Sequence, residues 1–435
     1  MSNKIVELMQ VAPEEHDLQW LQESLQAAVE LEFATLPPYL SGLWSIKDPN
    51  TSDPDGIVAN LVLSVIMEEM LHMGLALNML VAVGGTPTVV APPYPGHLPG
   101  GVRPELEVFL SGLTKDSVAM FMQIEMPEEP VAFESTETFP TIGAFYDAIA
   151  DAFRALSPSI TQTRQIQRTI DVPDPDGPGK TPLTEDLILI TSVADAEQAI
   201  ATIKTQGEGV TGTPDSPDNE LAHYYRFGEI FHGKKLVEVT PGKFEFSGDP
   251  VPFPDCWPVA KVPPGGYGDK TKAFNTAYGL MISQLEDAWT KDPPDGGPGL
   301  LRQAIGTMFG LTTQAGMLVT EPLNGGREHL GPDFIPIAPA ATGEGTGTTA
   351  PPATTGVGFA SDVLPLFRPI DIAHMKRPGL DFPLDDFSFM TQPGNAANVV
   401  SRVTDGTMPP PGTGDRWPPE KIAVVQAWID GGMKP

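Results

Sequence analysis

At 435 residues the chain is too long for one hydrophobic core, and two to three domains are expected. Its 26 basic against 56 acidic side chains give a formal charge of −30, which argues against nucleic acid and anionic membrane surfaces as partners, since both call for Lys/Arg patches. The 44 glycines and 48 prolines predict long irregular connections, and the single cysteine, Cys256, excludes an intramolecular disulfide and Cys-rich zinc or iron–sulfur sites.

The N-terminal stretch MSNKIVELMQVAPEEHD lacks a basic segment followed by an apolar one, so no secretory signal is expected and the chain reads as soluble and cytoplasmic. Asp17 suits the N-cap of a helix through LQWLQESLQAAVELEFATL, whose apolar line is Leu18, Leu21, Leu25, Ala28, Val29 and Leu36. Glu32 falls on that line, Glu23 falls off it, and Glu30, one step aside, remains a competitor. Pro37 and Pro38 each lack an amide donor and are expected to kink or end the helix, with Tyr39 just beyond.

The run Ile57 to Val83 is apolar on nearly every face, which is the pattern of a buried helix of about seven turns. Glu68, Glu69 and His72 sit at its centre. Burying such groups costs several kcal/mol each unless they are paired or bound to a metal, and a membrane span would tolerate them poorly. Glu69 and His72 are three residues apart and share one helix face. An E-x-x-H pair on a buried helix is what a di-iron carboxylate bundle uses; the competing reading is a buried ion pair. Gly84-Gly85 is expected to end this helix.

Further along, Leu106–Leu110 alternates enough for a short strand, and Ser117–Ile124 predicts a short helix ending at Glu125-Met126-Pro127. Thr141 caps an amphipathic helix with Ile142, Phe145, Ile149, Phe153 and Leu156 inward and no inward Glu or His. Ser192 opens another, with Ala196, Ala199, Ile200 and Ile203 inward. Glu208 stands at its C-terminal end, where the helix dipole disfavours a carboxylate and a partner is therefore expected. Glu220 begins ELAHYYRF, with Asp218 or Asn219 as cap, and forms a second E-x-x-H with His223. Together with Glu32 and Glu208 the two motifs supply the four carboxylates and two imidazoles of a di-iron carboxylate site.

Glu125 is a reserve ligand, and Glu68 a candidate for orienting His72 or a ligand carboxylate. Tyr39 and Arg226 are candidates for a substrate pocket, Arg226 as a carboxylate clamp. Mixed carboxylate and imidazole ligands suit one or two ions of iron, manganese or another transition metal. Two later helices, Lys272–Thr290 (Phe274, Tyr278, Met281 and Leu285 inward) and Leu300–Val319 (Ile305, Met308 and Phe309 inward), carry no ligand. Either they or the intervening helices complete the bundle.

Six segments carry a resemblance in order: AVELEFATLPPYLSGLWSIK (28–47), EEMLHMGLALNMLVAVGGTP (68–87), FMQIEMP (121–127), IGAFYDAI (142–149), QGEG (206–209) and ELAHYYRFGEIFHGKKL (220–236). They resemble the ferritin-like family of the iminophenyl-pyruvate dimer synthase type, which includes imine-coupling enzymes of violacein and rebeccamycin biosynthesis, over roughly residues 17–335. The resemblance implies a mainly α chain built on a ferritin-like helical bundle with long irregular insertions. It also implies a metal-dependent oxidoreductase that uses O₂ or peroxide on a small organic substrate such as an imine or amino-acid-derived acid. Among ferritins a first-helix Glu seven residues before a Tyr is common, which favours Glu32, with Tyr39, over Glu30.

The stretch Ala338–Gly356 reads as an Ala/Gly/Pro/Thr linker between a domain at 1–337 and one at 357–435. DVLPLFRPIDIAHM, GTMPPPG and WPPEKIAVVQAWIDGGM resemble a cytochrome-c-like domain, with His374 and Met408 as candidate axial ligands. No C-x-x-C-H occurs, so covalent haem is excluded and a haem-less packing or partner-binding role is expected. A second reading of the whole chain is a non-catalytic metal-binding or redox-partner protein with this module as its docking part. A homo-oligomer or a redox partner is compatible with both.

Overall fold

Two long antiparallel helices carry the fold. The computed structural model describes residues 4–49, 51, 54–127, 141–174, 182–209, 213–216, 220–292, 295–338, 357–368, 371, 372, 375, 376, 382–392, 395–405, 408, 417 and 419–434. A short helix α1 (Lys4–Leu8) precedes α2 (Leu18–Trp44), whose cap is Asp17: its carboxylate accepts from the Trp20 amide at 2.8 Å. Pro37 and Pro38, expected to kink or end the helix, do not end it: α2 runs through both. The carbonyl of Ala34, which Pro38 cannot serve, accepts instead from the Tyr94 hydroxyl at 2.7 Å. The helix therefore continues far enough to place Tyr39 two turns after Glu32, on the same face.

Pro54 starts α3 (Pro54–Ala82) in the position where its missing amide costs nothing. Gly84, at φ +79°, ends it, with the Gly84 and Gly85 amides returning to the carbonyls of Val81 and Leu80. By length and composition α3 is apolar enough to cross a membrane, but 72% of its most apolar window is buried inside the protein, as for a core helix. Val58, Leu61, Val62, Val65, Ile66, Leu75 and Leu80 are all buried, at about 1.5–3 kcal/mol of burial each.

Against this pair pack α5 (Ile142–Leu156) and α6 (Val193–Glu208), capped by the side chains of Thr141 and Ser192. The ring α2–α3–α6–α5 is the four-helix bundle. The second pair is thus not the one formed by α8 (Lys272–Thr290) and α9 (Pro298–Thr320); α8 packs on the outside of α3. On α9 the buried residues are Leu301, Ala304, Leu311, Ala315, Leu318 and Val319, whereas Phe309, expected inside, is 43% exposed.

A helix α4 (Lys115–Ile124), held by a capping box between Thr114 and Ser117, packs with α7 (His223–His232) across the bundle. Two antiparallel hairpins decorate it: β1 (Arg168–Val172) with β2 (Leu183–Leu187), and β3 (Lys234–Thr240) with β4 (Lys243–Pro250). The strand expected at Leu106–Leu110 is only a single bridge between Gly96 and Val108.

The chain divides into two compact units, one of residues 1–304 and 311–338 and the other of 305–310 and 339–435. In the second, Phe359, Phe367, Trp417, Trp428, Val399 and Val425 form an apolar core joined by the helices Asn395–Asp405 and Pro419–Asp430, and Met408 is buried in it. His374 and most of the predicted linker lie outside the described residues.

One buried side chain ties the bundle to its surroundings. Asn78 on α3 donates to the carbonyls of Ile166 (2.7 Å) and Ile188 (2.8 Å) and accepts from the Ile166 amide (3.0 Å) and the Trp289 indole (2.9 Å). Replacing it strands four polar groups, three of them in buried bonds, so Asn78→Ala is expected to lower unfolding free energy by about 3 kcal/mol, read as a fall in urea midpoint at unchanged slope.

Candidate metal centre

Four of the six expected ligands, Glu32, Glu69, His72 and His223, converge at the centre of the bundle, joined by the reserve ligand Glu125. Glu32 comes from α2, Glu69 and His72 from one face of α3, Glu125 from the C-cap of α4, and His223 is the first residue of α7. Their potential ligand atoms fall into two groups, Glu32–Glu69–His72 and Glu69–Glu125–His223, each with all atoms within 4.8 Å of one another. Glu69 belongs to both. Its Oε1 lies 3.4 Å from His72 Nδ1 and 2.8 Å from His223 Nδ1. Beyond these, Glu32 Oε2 stands 3.8 Å from His72 Nδ1, and Glu125 Oε2 stands 3.5 Å from His223 Nδ1.

Every ligand candidate is steered from behind. The Tyr146 hydroxyl donates to Glu32 Oε1 and that of Tyr39 to Glu125 Oε1, leaving the second oxygen of each carboxylate facing an imidazole. Thr35 Oγ1 donates to Glu69 Oε2 at 2.8 Å. Behind the imidazoles, His72 Nε2 meets the Gln206 side-chain oxygen at 2.9 Å and His223 Nε2 meets Glu68 Oε2 at 2.8 Å. An Nε2 that donates outward leaves Nδ1 with its lone pair turned to the centre, the tautomer a metal requires.

The electrostatics are set by burial and by the crowding of the carboxylates. Burial, with the nearby charge of Glu69, pushes Glu32 up to about 8. Burial and the same neighbour raise Glu125. Burial works against Glu69 as well, but the adjacent imidazoles of His223 and His72 outweigh it and hold the carboxyl below its ordinary range. Burial would lower both imidazoles, yet the surrounding carboxylates raise them, His223 most. His223 Nδ1, fully buried, makes no hydrogen bond of acceptable geometry. Three carboxylates and two inward-facing imidazole nitrogens, one of them orphaned, could hold one or two transition-metal ions, Glu69 being common to both groups.

The remaining candidates stand elsewhere. Glu208 closes α6, but its side chain lies outside the described residues. Glu220 is not on a helix: residues 220–222 bridge back to 214–216, with Ser216 N to Glu220 O at 2.7 Å and Ala222 N to Pro214 O at 2.9 Å. Since α7 starts at His223, the second E-x-x-H has no shared face, and Glu220 turns to Arg226 at 3.1 Å, half-buried and pushed up to about 7. Asp218 and Asn219, the expected caps, lie outside the described residues; Ala222 stands at the cap position without a side-chain bond. Glu30 faces Gln26 (3.0 Å), away from the centre.

Arg226 is also relocated. It is buried behind His223 with its donors engaged by Glu68, Ser64, Glu220 and the Leu221 carbonyl, so it has no free fork for a substrate carboxylate. Tyr39 is fully buried against Glu125 rather than lining an opening. Sequence reasoning passed over Thr35, Tyr146 and Gln206. Tyr146 was legible in principle as a hydroxyl on the buried face of α5, and Gln206 as a neighbour of the QGEG segment.

A cavity of about 40 Å³ reaches the centre, with Glu32, Glu69, His72 and Glu125 at its floor and Ile142, Gly143, Ile203 and Lys204 among its walls. That space takes a few water-sized molecules.

Residues 25–232 match the family described as ferritin-like. Among solved structures the chain is similar to a ferritin-like protein from Caulobacter vibrioides, at 20% identity and a TM-score of 0.49, covering 75% of this chain and 100% of that one. No curated protein matches the sequence.

Because Glu69 is common to both groups while Glu220 touches neither, their substitutions should separate. Elemental analysis of Glu69→Ala is expected to show metal lost from the chain as a whole, and Glu220→Ala to show metal at the wild-type level.

Proposed function

We propose that the ferritin-like domain holds a dinuclear centre of iron or manganese and that the protein is an oxidoreductase using dioxygen or peroxide against a small organic substrate. The observation that carries this reading is the sharing of Glu69 between two ligand groups, each with its own imidazole and its own outer carboxylate. Such a pair of ions, when bound, supplies redox equivalents and open positions for an oxygen species.

The protein's own residues prepare that chemistry. Glu32 and Glu125 are held in one rotamer by Tyr146 and Tyr39, so their free oxygens need no reorganisation. The two phenols, both raised well above 10 by burial and by the carboxylates they serve, keep their protons and act as donors. Leu31, Ile124, Ile142 and Ile203 exclude bulk water from the approach. With so little room at the floor, an organic substrate is expected at the cavity mouth, where Lys204, bonded to Asp147 at 2.6 Å, provides a positive head group.

The finer assignment, to oxidation or coupling of imine-type acids, is supported by the six segments that resemble the iminophenyl-pyruvate dimer synthase type in order. Fold alone does not fix the reaction. The smallness of the cavity favours keeping the second reading, a metal-binding or redox-partner protein whose cytochrome-c-like module docks another component.

Oxygen or peroxide consumption separates the two. Metal-loaded protein supplied with imine-type acids is expected to consume the oxidant in proportion to substrate, and chelation should abolish this. Consumption that is independent of organic substrate would favour the second reading. Metal binding to the folded state alone should also stabilise it, by about 2.7 kcal/mol at a free metal concentration of 100 Kd, so chelation is expected to lower Tm.

A further inference from the structure

Seen from the centre, His72 and His223 are equivalent, each presenting Nδ1 to Glu69. Behind the rings they differ. His72 Nε2 is held by the neutral amide oxygen of Gln206 at 2.9 Å. His223 Nε2 is held by Glu68, whose other oxygen accepts from Arg226 Nη1 at 2.7 Å. Arg226 is itself fixed by Ser64 Oγ (3.0 Å), Glu220 Oε2 (3.1 Å) and the Leu221 carbonyl (2.5 Å), and both it and Glu68 are 1% exposed. The cavity adds a second difference: both outer carboxylates, Glu32 and Glu125, belong to its lining, but of the two imidazoles only His72 does.

We infer that the two positions sharing Glu69 are unequal, Glu69–Glu125–His223 being the tight one and Glu32–Glu69–His72 the weak, exchangeable one facing the cavity. Glu68 and Arg226 are positioning residues for the tight position, and Gln206 is the positioning residue for the weak one. The inference rests on the dinuclear reading above.

A carboxylate behind a ligating imidazole orients the ring and raises its basicity, and partners of this kind are worth 10–100-fold in metal affinity. The charged Glu68 acceptor makes a stronger bond to Nε2–H than the uncharged amide of Gln206 does. Arg226 prevents Glu68 from adding a fourth uncompensated carboxylate to the centre, so the charge of Glu68 serves His223 without repelling its neighbours. On the other side, the cavity reaches both the carboxylate and the imidazole of the Glu32–His72 position, whereas at the Glu125–His223 position it reaches the carboxylate alone and His223 stays behind it against the ion pair.

The test is a titration of the metal-free full chain with Co(II) against a competing chelator, read by binding and by visible absorption. Wild-type protein is expected to bind two ions in separable steps. Glu68→Gln should weaken the first step by about 10–100-fold and shift the spectrum of the first ion, leaving the second step in place. Gln206→Ala should weaken only the second step. Glu68→Asp, which keeps the charge with a shorter reach, should weaken the first step less than Glu68→Gln, so a folding defect in one variant does not decide the matter. Two equal steps in wild type, or a Glu68→Gln variant that weakens both alike, would overturn the inequality while leaving the dinuclear reading intact. Fewer than two ions bound by wild type would overturn that reading, and the inference with it.

Discussion

Glu69 lies buried among two other carboxylates and two imidazoles, and the rest of the bundle is arranged around this crowding. Like charges held this close and this deeply buried repel strongly, and each buried ion carries a desolvation cost of several kcal/mol. The crowding shows as upward pKa shifts of Glu32 and Glu125, through burial and the charge of Glu69, and of both imidazoles, through the carboxylates beside them. Cations between the carboxylates would relieve it, because they satisfy all three carboxylates and both imidazoles at once.

The scaffold supports that arrangement with hydroxyl donors aimed at the carboxylates. Thr35, Tyr146 and Tyr39 each donate to one ligand carboxylate from within the bundle or its cap. Both E-x-x-H pairs looked alike as strings, yet only the first is one helix face. Glu69 and His72 share a turn of α3, whereas Glu220 precedes α7 and is spent on Arg226. The third carboxylate comes instead from Glu125, at the end of the short helix α4 that packs on α7.

How much of this the sequence disclosed follows from the range of the forces involved. Spacing of three along a buried helix is local, so Glu69 and His72 could be read directly, and Glu32 followed from the apolar line of α2. The start of α7 depends on a backbone bridge between 214–216 and 220–222, a tertiary event with no local signature. The survival of α2 past Pro37 and Pro38 likewise depends on Tyr94, dozens of residues away, capturing the carbonyl that a proline leaves free. Arg226 looked like a substrate clamp because its neighbours were known only in sequence; in space its donors are engaged. Which helices complete the bundle was open for the same reason, since α5 brings no metal ligand of its own and advertises itself only through Tyr146.

The central claim is that Glu69 bridges two metal positions. Anomalous diffraction from metal-loaded crystals, recorded at the absorption edge of the bound element, addresses it directly. Two peaks about 3.5–4 Å apart on either side of Glu69, one against His72 and the other against His223, are the expected result. A single peak, or none with Glu69 still paired directly to both imidazoles, would contradict it.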